Sequence, residues 1–254
     1  MQQITSLTNK TIKELKKLQQ KKYRQKYGLY LIEGFHTIEE ALKTNQSYRY
    51  LIGTADALAK LTANYNVKED KVLEVTDEIA STLRQTNTSQ SIFMVLTINQ
   101  PKSFSFYPGK WVLLDNLTDP GNVGTIIRTA DAAGYDGVIL NNESVDLYND
   151  KVQRAMQGSQ FHITVLQHEL GDAITSLKNK GNQVFASCLN DEAVHSNKIT
   201  AGNAFALIIG NEAHGVSTQH LELADVKTYI PIFGQAESLN AAVAAGIIMY
   251  QFIL

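Results

Sequence analysis

Apolar segments of strand length and helix length alternate along almost the whole chain. Runs such as 48–53 (YRYLIG) and 91–98 (SIFMVLTI) have the composition of buried strands, whereas the apolar residues of 122–133 recur at helical spacing. When strands alternate with helices, each helix returns the chain across the sheet, so the next strand lies parallel to the last. The sequence therefore predicts an α/β protein with mostly parallel sheets.

Residues 99–110 interrupt this alternation, because they contain two of the four prolines and little periodicity. A chain of 254 residues has room for two modest domains. We therefore expect a smaller N-terminal α/β domain at 1–98, a linker at 99–110 and a larger α/β domain at 111–254.

The same patterns place the individual elements. Strands are predicted at 29–32, 48–53, 71–75, 91–98, 111–117, 137–140, 183–187, 204–209 and 227–232. Helices are predicted from Asn9 onward and at 35–42, 55–65, 77–84, 122–133, 149–157, 168–180 and 238–252.

Positive charge is concentrated at the N-terminus. Residues 1–27 hold seven lysines and one arginine against a single acid, Glu14, although the whole chain has a formal charge of −2. A terminal lysine block commonly contacts phosphate backbones, but a solvated helix face gives the same pattern. Charge alone leaves both interpretations open.

Several classes of protein are not expected. No apolar run approaches the roughly 18 residues of a membrane span, and the first residues lack the apolar core of a signal peptide. The single cysteine, Cys188, leaves no internal disulfide or cysteine-based metal cluster, and H-E-x-x-H is missing. We expect a cytoplasmic protein without a metal and without membrane contact.

The stretch 116–140 has the layout of a phosphate-binding loop: a turn, a helix, a glycine stop and a buried strand. However, no two of the sixteen glycines are separated by one residue, so the dinucleotide fingerprint G-x-G-x-x-G is absent. The P-loop pattern fails too, because Gly215 is followed by Val216. The ordinary nucleotide loops are excluded.

Residues 116–140 can instead be interpreted as a turn followed by a capped helix. Residues 119–122 (DPGN) are typical of a type II turn, with Asn122 as the N-cap of the helix. Arg128 falls outside the apolar stripe, and it is one of only two arginines after residue 101. It could pair with Asp131, or it could grip an anion with its planar fork. The predicted buried stripe consists of Val123, Ile126, Ile127, Ala130 and Gly134.

Two later segments add candidate site residues. Residues 207–217 form a buried strand that ends in a glycine-flanked loop carrying Glu212. Residues 230–250 form a short strand, a loop and a helix capped by Ser238 or Asn240. Small residues in the first turns of that helix permit close approach of a ligand or of another core helix.

Together, 119–134, 208–217 and 230–247 resemble, in order and spacing, the three signature motifs of the SpoU/TrmH family of RNA 2′-O-ribose methyltransferases, within the SPOUT superfamily. Residues 22–42 also resemble the substrate-binding domain of that family, which is similar to small ribosomal proteins. The resemblance implies a C-terminal domain with a deep trefoil knot, a homodimer with active sites at the subunit interface, and S-adenosylmethionine as cofactor. By this resemblance the cofactor contacts are Gly210, Ile230, Leu239 and Ser238.

The resemblance also implies catalytic roles for Arg128, Asn122, Glu212 and Asn240. A guanidinium keeps its proton and is a poor base, so we expect Arg128 to grip a phosphate and to stabilise negative charge on the ribose oxygen. Glu212 would orient Arg128 or a backbone amide, and Asn240 would fix the knot loop or the ribose.

RNA is the expected partner, with 23S ribosomal RNA favoured over transfer RNA. The expected RNA contacts are Lys21, Lys22, Arg24 and Arg154. Two other hypotheses remain: a non-catalytic RNA-binding protein that retains the fold, and a nucleotide-dependent metabolic enzyme with a doubly wound sheet.

Overall fold

The computed structural model describes residues 1–85, 89–101, 103–190 and 192–254. Within these residues the chain forms twelve β-strands, most of them short and strongly apolar. They are β1 (Gln2–Ile4), β2 (Leu29–Glu33), β3 (Tyr48–Gly53), β4 (Val72–Val75), β5 (Ile92–Thr97), β6 (Lys110–Asp115), β7 (Gly137–Leu140), β8 (Thr164–Gln167), β9 (Gln183–Ser187), β10 (Val194–His195), β11 (Phe205–Gly210) and β12 (Val226–Tyr229).

Ten α-helices connect these strands in the described part of the chain. They are α1 (Lys10–Lys17), α2 (Lys21–Tyr27), α3 (Phe35–Lys43), α4 (Ala55–Thr62), α5 (Asp77–Leu83), α6 (Pro120–Ala132), α7 (Asp150–Met156), α8 (Leu170–Asn179), α9 (Thr218–Leu223) and α10 (Ala241–Gln251). Among the described helices, none has the length and apolarity needed to cross a membrane.

The chain divides into two compact units. The N-terminal unit contains Met1–Asn99 and Asp146–Phe161, and the C-terminal unit contains Gln100–Val145 and His162–Leu254. This division differs from the predicted domains at residues 146–161, which the sequence analysis placed in the second domain. Periodicity locates helix α7 but does not indicate which apolar layer its segment joins.

Three contacts tie residues 146–161 into the N-terminal unit. The ring of Tyr148 lies 4.6 Å from the ring of Tyr30. Phe161 packs against an apolar cluster of that unit. Asp146 accepts a hydrogen bond and ion pair from the guanidinium of Arg24. The segment therefore contributes to the core of the N-terminal unit.

The N-terminal unit has a five-stranded mixed sheet in the order β1-β4-β3-β5-β2. Strands β1, β4 and β3 are parallel, and β5 runs antiparallel to β3 and β2. Alternating strand residues face opposite sides, as a strand period of two requires. One face packs against α1 and α5, and the other against α3 and α4. Both faces of the sheet are thus covered.

The C-terminal unit has a seven-stranded sheet in the order β10-β12-β9-β11-β6-β7-β8. Every pairing in it is parallel, which confirms the predicted fold class. Helix α8 covers one face, where Ile174 and Leu177 pack against strand residues. On another side α10 packs against α6, and a Cβ added at Gly246 would lie 3.7 Å from the Thr129 methyl group. This is an ordinary van der Waals distance, so an alanine at position 246 would also fit between the two helices.

The predicted linker is part of the C-terminal core. Phe106 is buried, and the rings of Phe104 and Phe106 contact Trp111 at centroid distances of 5.9 and 6.0 Å. Prolines and low periodicity could not show that aromatic residues of this segment join the core. Lys102, within the predicted linker, lies outside the described residues.

Helix α6 begins earlier than predicted. Asp119 is its N-cap, because its Oδ1 accepts a hydrogen bond from the backbone amide of Asn122 at 2.7 Å, and Pro120 occupies the first turn. The predicted N-cap role of Asn122 is therefore wrong. Proline at the first helical position has no amide that needs a partner, so Asp-Pro begins a helix here rather than a turn. The side chain of Asn122 remains available for other contacts.

Tyr135 connects the start of β7 to helix α10. Its buried hydroxyl donates a hydrogen bond to the carbonyl oxygen of Met249 at 3.1 Å, and burial raises the pKa of Tyr135. Tyr135→Phe is expected to lower the free energy of unfolding by about 1 kcal/mol, measured by urea denaturation at neutral pH. Above about pH 10 the unfolded chain ionises this phenol first, so wild-type stability falls with rising pH. A steeper alkaline loss in the Phe variant than in the wild type would contradict this account.

Candidate functional site

Side chains from three distant segments meet beyond the carboxyl ends of the central strands. In the sheet Gly210, the last residue of β11, pairs with Asp115, the last residue of β6. The loops that leave these two strands therefore begin side by side. In open parallel sheets this edge is the usual position of a ligand site.

Two hydrogen bonds join the segments. The Nδ2 amide of Asn122 donates to Oε1 of Glu212 at 2.6 Å. The Nδ2 amide of Asn240 donates to Oδ1 of Asn122 at 2.9 Å. Asn122 is thus the central member of a chain that runs from Glu212 to Asn240. Three of the four predicted catalytic residues are brought together.

Helix capping explains why Asn240 can occupy this position. Its Oδ1 caps α10 by accepting from the amides of Ala242 and Val243 at 3.0 and 3.2 Å. The amide nitrogen then points away from the helix and reaches Asn122. A serine or aspartate would cap equally well but has no amide donor to offer. Of the two caps that the sequence analysis proposed, the structure uses Asn240.

A cavity of about 390 Å³ opens beside this chain of side chains. All four predicted cofactor contacts line it, which are Gly210, Ile230, Ser238 and Leu239. Its other walls come from the ends of β9, β11 and β12 and from the start of α10, and they are mainly aliphatic. This cavity can enclose a small molecule that has an extended apolar surface.

Gly210 is required by the close approach of two backbone segments. A Cβ at this position would lie 2.1 Å from the carbonyl carbon of Gly215 and from the amide nitrogen of Val216. The loop therefore folds directly against the end of its own strand. Asn211 and Gly215 close it with reciprocal backbone hydrogen bonds of 3.0 and 2.8 Å. This tight loop presents Glu212 to Asn122.

The charges around the cavity disfavour ligands that carry several phosphates. Glu212 is the one carboxylate among its described lining residues, and those residues include no lysine or arginine. A dinucleotide or nucleoside triphosphate needs cationic groups or a glycine-rich loop for its phosphates. The arrangement favours a ligand with an apolar body and positive charge.

A buried polar group anchors the loop from below, and the sequence analysis missed it. Oδ2 of Asp115, which is fully buried, accepts hydrogen bonds from the backbone amide of Ser217 and from Nδ1 of His220, each at 2.8 Å. The hydroxyl of Ser217 lies 2.9 Å from the same ring nitrogen. The only signal in the sequence is a carboxylate that directly follows the apolar run WVLL.

Asparagine side chains extend this anchor to the neighbouring strands. Nδ2 of Asn141 donates to Oδ1 of Asn116 at 2.8 Å, and Nδ2 of Asn211 donates to the carbonyl oxygen of Asn116 at 2.8 Å. Asn116 has a φ of 58°, a left-handed conformation that asparagine tolerates better than most residues. These bonds fix the entry to α6 against the loop that carries Glu212.

Arg128 stands apart from this network. It lies on the exposed side of α6, away from the buried residues Val123, Ile126, Ile127 and Ala130. Within the described residues it forms neither an ion pair with Asp131 nor a bond to Glu212, whose partner is Asn122. The guanidinium is free to bind an external anion. Gly134, the last member of the predicted stripe, is exposed and ends the helix with a φ of 70°.

The four predicted RNA contacts differ in their surroundings. Lys21 and Lys22 are exposed in the first turn of α2. The prediction for Arg24 is wrong, because its buried guanidinium donates to the carbonyl oxygens of Leu18 and Gln19 and pairs with Asp146. A guanidinium that is buried and paired inside its own unit is not accessible to RNA.

Arg154 is partly engaged. Its guanidinium pairs with Asp150 at 3.0 Å and donates to the carbonyl oxygen of Gln85 at 2.9 Å, and its side chain is 39% exposed. Part of its side chain is accessible to solvent, but both bonds are made to residues of the N-terminal unit.

The sequence matches two family models. The model of the SpoU rRNA Methylase family matches residues 110–250, more than half of the chain. The model of an MRM3-like substrate binding domain matches residues 9–94. The chain belongs to the SpoU rRNA methylase family, and it is an RNA methyltransferase.

Known relatives span nearly the whole chain. The 23S rRNA (guanosine(2553)-2′-O)-methyltransferase RlmP of Bacillus subtilis (strain 168) is 38% identical over 250 residues, which cover 98% of each chain. An uncharacterized tRNA/rRNA methyltransferase of Synechocystis sp. is 31% identical and covers 98% of this chain and 92% of its own. An AdoMet-bound rRNA methyltransferase from Sinorhizobium meliloti has a similar structure, with a TM-score of 0.88, 31% identity and coverage of 99% and 97%.

Proposed function

We propose that this protein transfers the methyl group of S-adenosylmethionine to a ribose 2′-hydroxyl of 23S ribosomal RNA. One observation carries the proposal: the bonded chain Glu212–Asn122–Asn240 stands beside a cavity lined by all four expected cofactor contacts. The full-length similarity to the B. subtilis ribosomal RNA enzyme supports the choice of substrate.

The cavity suits this cofactor. Its aliphatic walls, including Ile230 and Leu239, match the adenine ring and the carbon chain of the ligand. The carboxylate of Glu212 gives the cavity a negative side, which suits a cation. Gly210 keeps the floor open, because any side chain there would displace the neighbouring loop. When bound, the cofactor supplies a methyl group on a positively charged sulfur, and an oxygen nucleophile can attack the methyl carbon directly and displace the sulfur.

The residues of the chain mainly position the RNA for this displacement. Holding the 2′-oxygen in line with the methyl carbon and the sulfur supplies much of the rate acceleration. Asn122 is fixed on both sides, by Glu212 and Asn240, so it offers a rigid polar contact for the ribose. Glu212 acts by orienting Asn122.

Arg128 has a different role. Its guanidinium is exposed and unpaired among the described residues, so it can hold a phosphate next to the target ribose with a bidentate contact. The same positive charge stabilises the negative charge that develops on the 2′-oxygen as its O–H bond breaks and the proton passes to solvent water.

A homodimer is part of the proposal. Helix α10 is apolar on every side, and its Val243 and Tyr250 are 51% and 41% exposed. These residues lie seven positions apart on one face, which a second copy of the chain would cover. We further propose the trefoil knot of the family in the C-terminal unit, and a location in the cytoplasm with the RNA substrate. Light scattering at micromolar concentration tests the dimer.

Two measurements test the activity. Purified protein and tritiated S-adenosylmethionine should label the ribose of 23S RNA from a strain that lacks the gene, but not RNA from the parent strain. Mapping of 2′-O-methyl groups in the deletion strain should show the loss of one site, expected at the nucleotide equivalent to the B. subtilis target.

Other results would identify the alternatives. Labelling of transfer RNA would correct the substrate. Thermal stabilisation by NAD or ATP, but not by S-adenosylmethionine, would replace the proposed activity with a nucleotide-dependent one. Cofactor binding without transfer to any RNA would contradict the proposal.

A further inference from the structure

Three polar side chains, those of Asp115, Ser217 and His220, lie together next to the cavity, and we call them the aspartate–histidine cluster. Asp115 is fully buried, and His220 is 6% exposed. Oδ2 of Asp115 is the common acceptor for the amide of Ser217 and for Nδ1 of His220. None of the three is among the described residues that line the cavity. The cluster can therefore influence a bound ligand only through the residues around it.

The loop between β11 and α9 begins and ends beside Asp115. At its beginning, the backbone of Gly210 pairs with that of Asp115 in the sheet. At its end, the carboxylate of Asp115 holds the amide of Ser217. The segment 211–221 supplies six of the residues that line the cavity, namely Asn211, Glu212, His214, Gly215, Val216 and Leu221. The position of this cavity wall thus depends on one buried carboxylate.

Stability does not explain why a carboxylate lies at this position. A buried carboxylate loses its hydration, and hydrogen-bond donors must replace the lost water. Besides Ser217 and His220, Nδ2 of Asn116 donates to Oδ1 of Asp115 at 3.2 Å. Even well-bonded buried ion pairs can often be replaced by apolar side chains of similar volume without loss of stability. A different requirement therefore favours a polar cluster here.

The partners of Asp115 also depart from the usual local rules. Ser217 is the N-cap of α9, but its side chain caps no amide of that helix, although serine normally does so. Its hydroxyl lies 2.9 Å from Nδ1 of His220 instead. Nε2 of His220 is buried without a partner among the described residues, which is rare for a polar atom. Such departures, concentrated in one cluster, are expected at functional sites.

We propose that Asp115 and His220 are positioning residues for the cofactor. Their hydrogen bond holds α9 and the loop 211–217 against the end of β6, and this gives the cavity the shape that binds S-adenosylmethionine. Neither residue lines the cavity, so both act through the loop. The inference rests on the proposed function, because it concerns the cofactor of the same site.

Two variants of His220 separate its hydrogen bond from its packing. His220→Asn keeps a nitrogen donor at the same number of bonds from Cα as Nδ1, and it lacks only the unpartnered Nε2. His220→Phe keeps a ring but has no donor. In calorimetric titrations with S-adenosylmethionine, the Asn variant should bind within about threefold of the wild type, whereas the Phe variant should bind about tenfold or more weakly.

Hydrogen exchange of the loop amides provides a readout that needs no cofactor. In the structure the amide of Ser217 bonds to Asp115, and the amides of Asn211 and Gly215 bond to each other's carbonyl oxygens. In the unliganded His220→Phe protein these three amides should exchange faster than in the wild type. In His220→Asn they should keep wild-type protection.

A second position keeps the inference testable if His220→Phe misfolds by circular dichroism. Asp115→Asn retains one acceptor atom, which can serve Ser217 and His220. Its own amide group then faces Nδ2 of Asn116, and two donors meet where a donor now meets Oδ1. Cofactor affinity should fall several-fold, and the amide of Ser217 should exchange faster.

Asn182→Leu is the matched control. Asn182 is 4% exposed, its Nδ2 donates to the carbonyl oxygen of Gly109 at 2.6 Å, and its Oδ1 is buried without a partner among the described residues. It directly precedes β9 and therefore lies at the opposite end of the parallel strands from the cavity. This variant should lose stability in urea denaturation but keep wild-type affinity for S-adenosylmethionine.

Two results would overturn the inference: wild-type cofactor affinity in His220→Phe, or an equal loss of affinity in Asn182→Leu. A loss in His220→Asn as large as that in His220→Phe would also contradict it, because the donor would then not be the important group. Failure of the proposed function looks different. A wild-type protein that binds the cofactor but methylates no RNA would disprove the function and leave the positioning role intact, whereas one that binds no cofactor would disprove both.

Discussion

Arg128→Ala is expected to lower kcat for RNA methylation by about 10²–10³-fold while leaving the fold and the cofactor affinity unchanged. The expected size is that of removing one preorganised group that stabilises developing negative charge. The selectivity of the effect follows from the position of the residue. Arg128 is exposed on α6, does not line the cavity and forms no ion pair among the described residues.

The measurement is single-turnover methylation together with cofactor affinity by calorimetry. Arg128→Lys should recover only part of the rate, because an ammonium group keeps the charge but loses the two-pronged contact. Arg84→Ala, a change at another exposed arginine, is the matched control and should keep wild-type kcat. A wild-type methylation rate in Arg128→Ala would show that this residue has no role in the reaction. A loss of cofactor binding would show that it acts through the cavity instead.

Periodicity predicted most of the fold. The strand at 48–53 was placed correctly, and alternation of strand and helix correctly indicated the parallel sheet of the C-terminal unit. Strands β1, β8 and β10 were not predicted, because they have two to four residues, too few for an alternation to be visible. Helices α2 and α9, whose sequences are dominated by polar residues, were not predicted either.

Motif residues were predicted, but not their contacts. Glu212 was expected to orient Arg128 or a backbone amide, whereas in the structure its carboxylate accepts a hydrogen bond from the side chain of Asn122. That contact depends on the start of α6: with Asp119 as the N-cap, the side chain of Asn122 is released for the site. A shift of the helix start by three residues thus changes which side chain can reach the loop.

The anchor at Asp115 could not be predicted, for a different reason. Asp115 and His220 are 105 residues apart in the chain. They meet only because β6 and β11 are neighbours in the sheet, and strand order does not follow from periodicity. The burial of Arg24 could not be predicted for the same reason, since it also depends on a partner far away in the chain. A basic residue in a lysine-rich helix looks exposed, yet Asp146, 122 residues later, holds it in the interior.

Gly210→Ala is expected to disable the site by moving a backbone segment. The new Cβ would lie 2.1 Å from backbone atoms of Gly215 and Val216, so the loop would have to shift by about an ångström. The hydrogen bond between Asn122 and Glu212, now 2.6 Å long, cannot survive a shift of that size without rearrangement. Overpacking of this kind costs about 1–3 kcal/mol of stability.

The expected results of Gly210→Ala are a lower free energy of unfolding, weaker cofactor binding and a fall in kcat/KM of about 10²-fold, since small misplacements of catalytic groups are costly. Gly202→Ala is the control, because a Cβ there meets no atom within 4 Å. It should stay within about 0.5 kcal/mol of the wild type. If both alanine variants bind S-adenosylmethionine equally, the loop can accommodate a Cβ at position 210, contrary to the distances in the structure. If only Gly210→Ala fails, the close approach of this loop to the end of β11 is what builds the cofactor cavity.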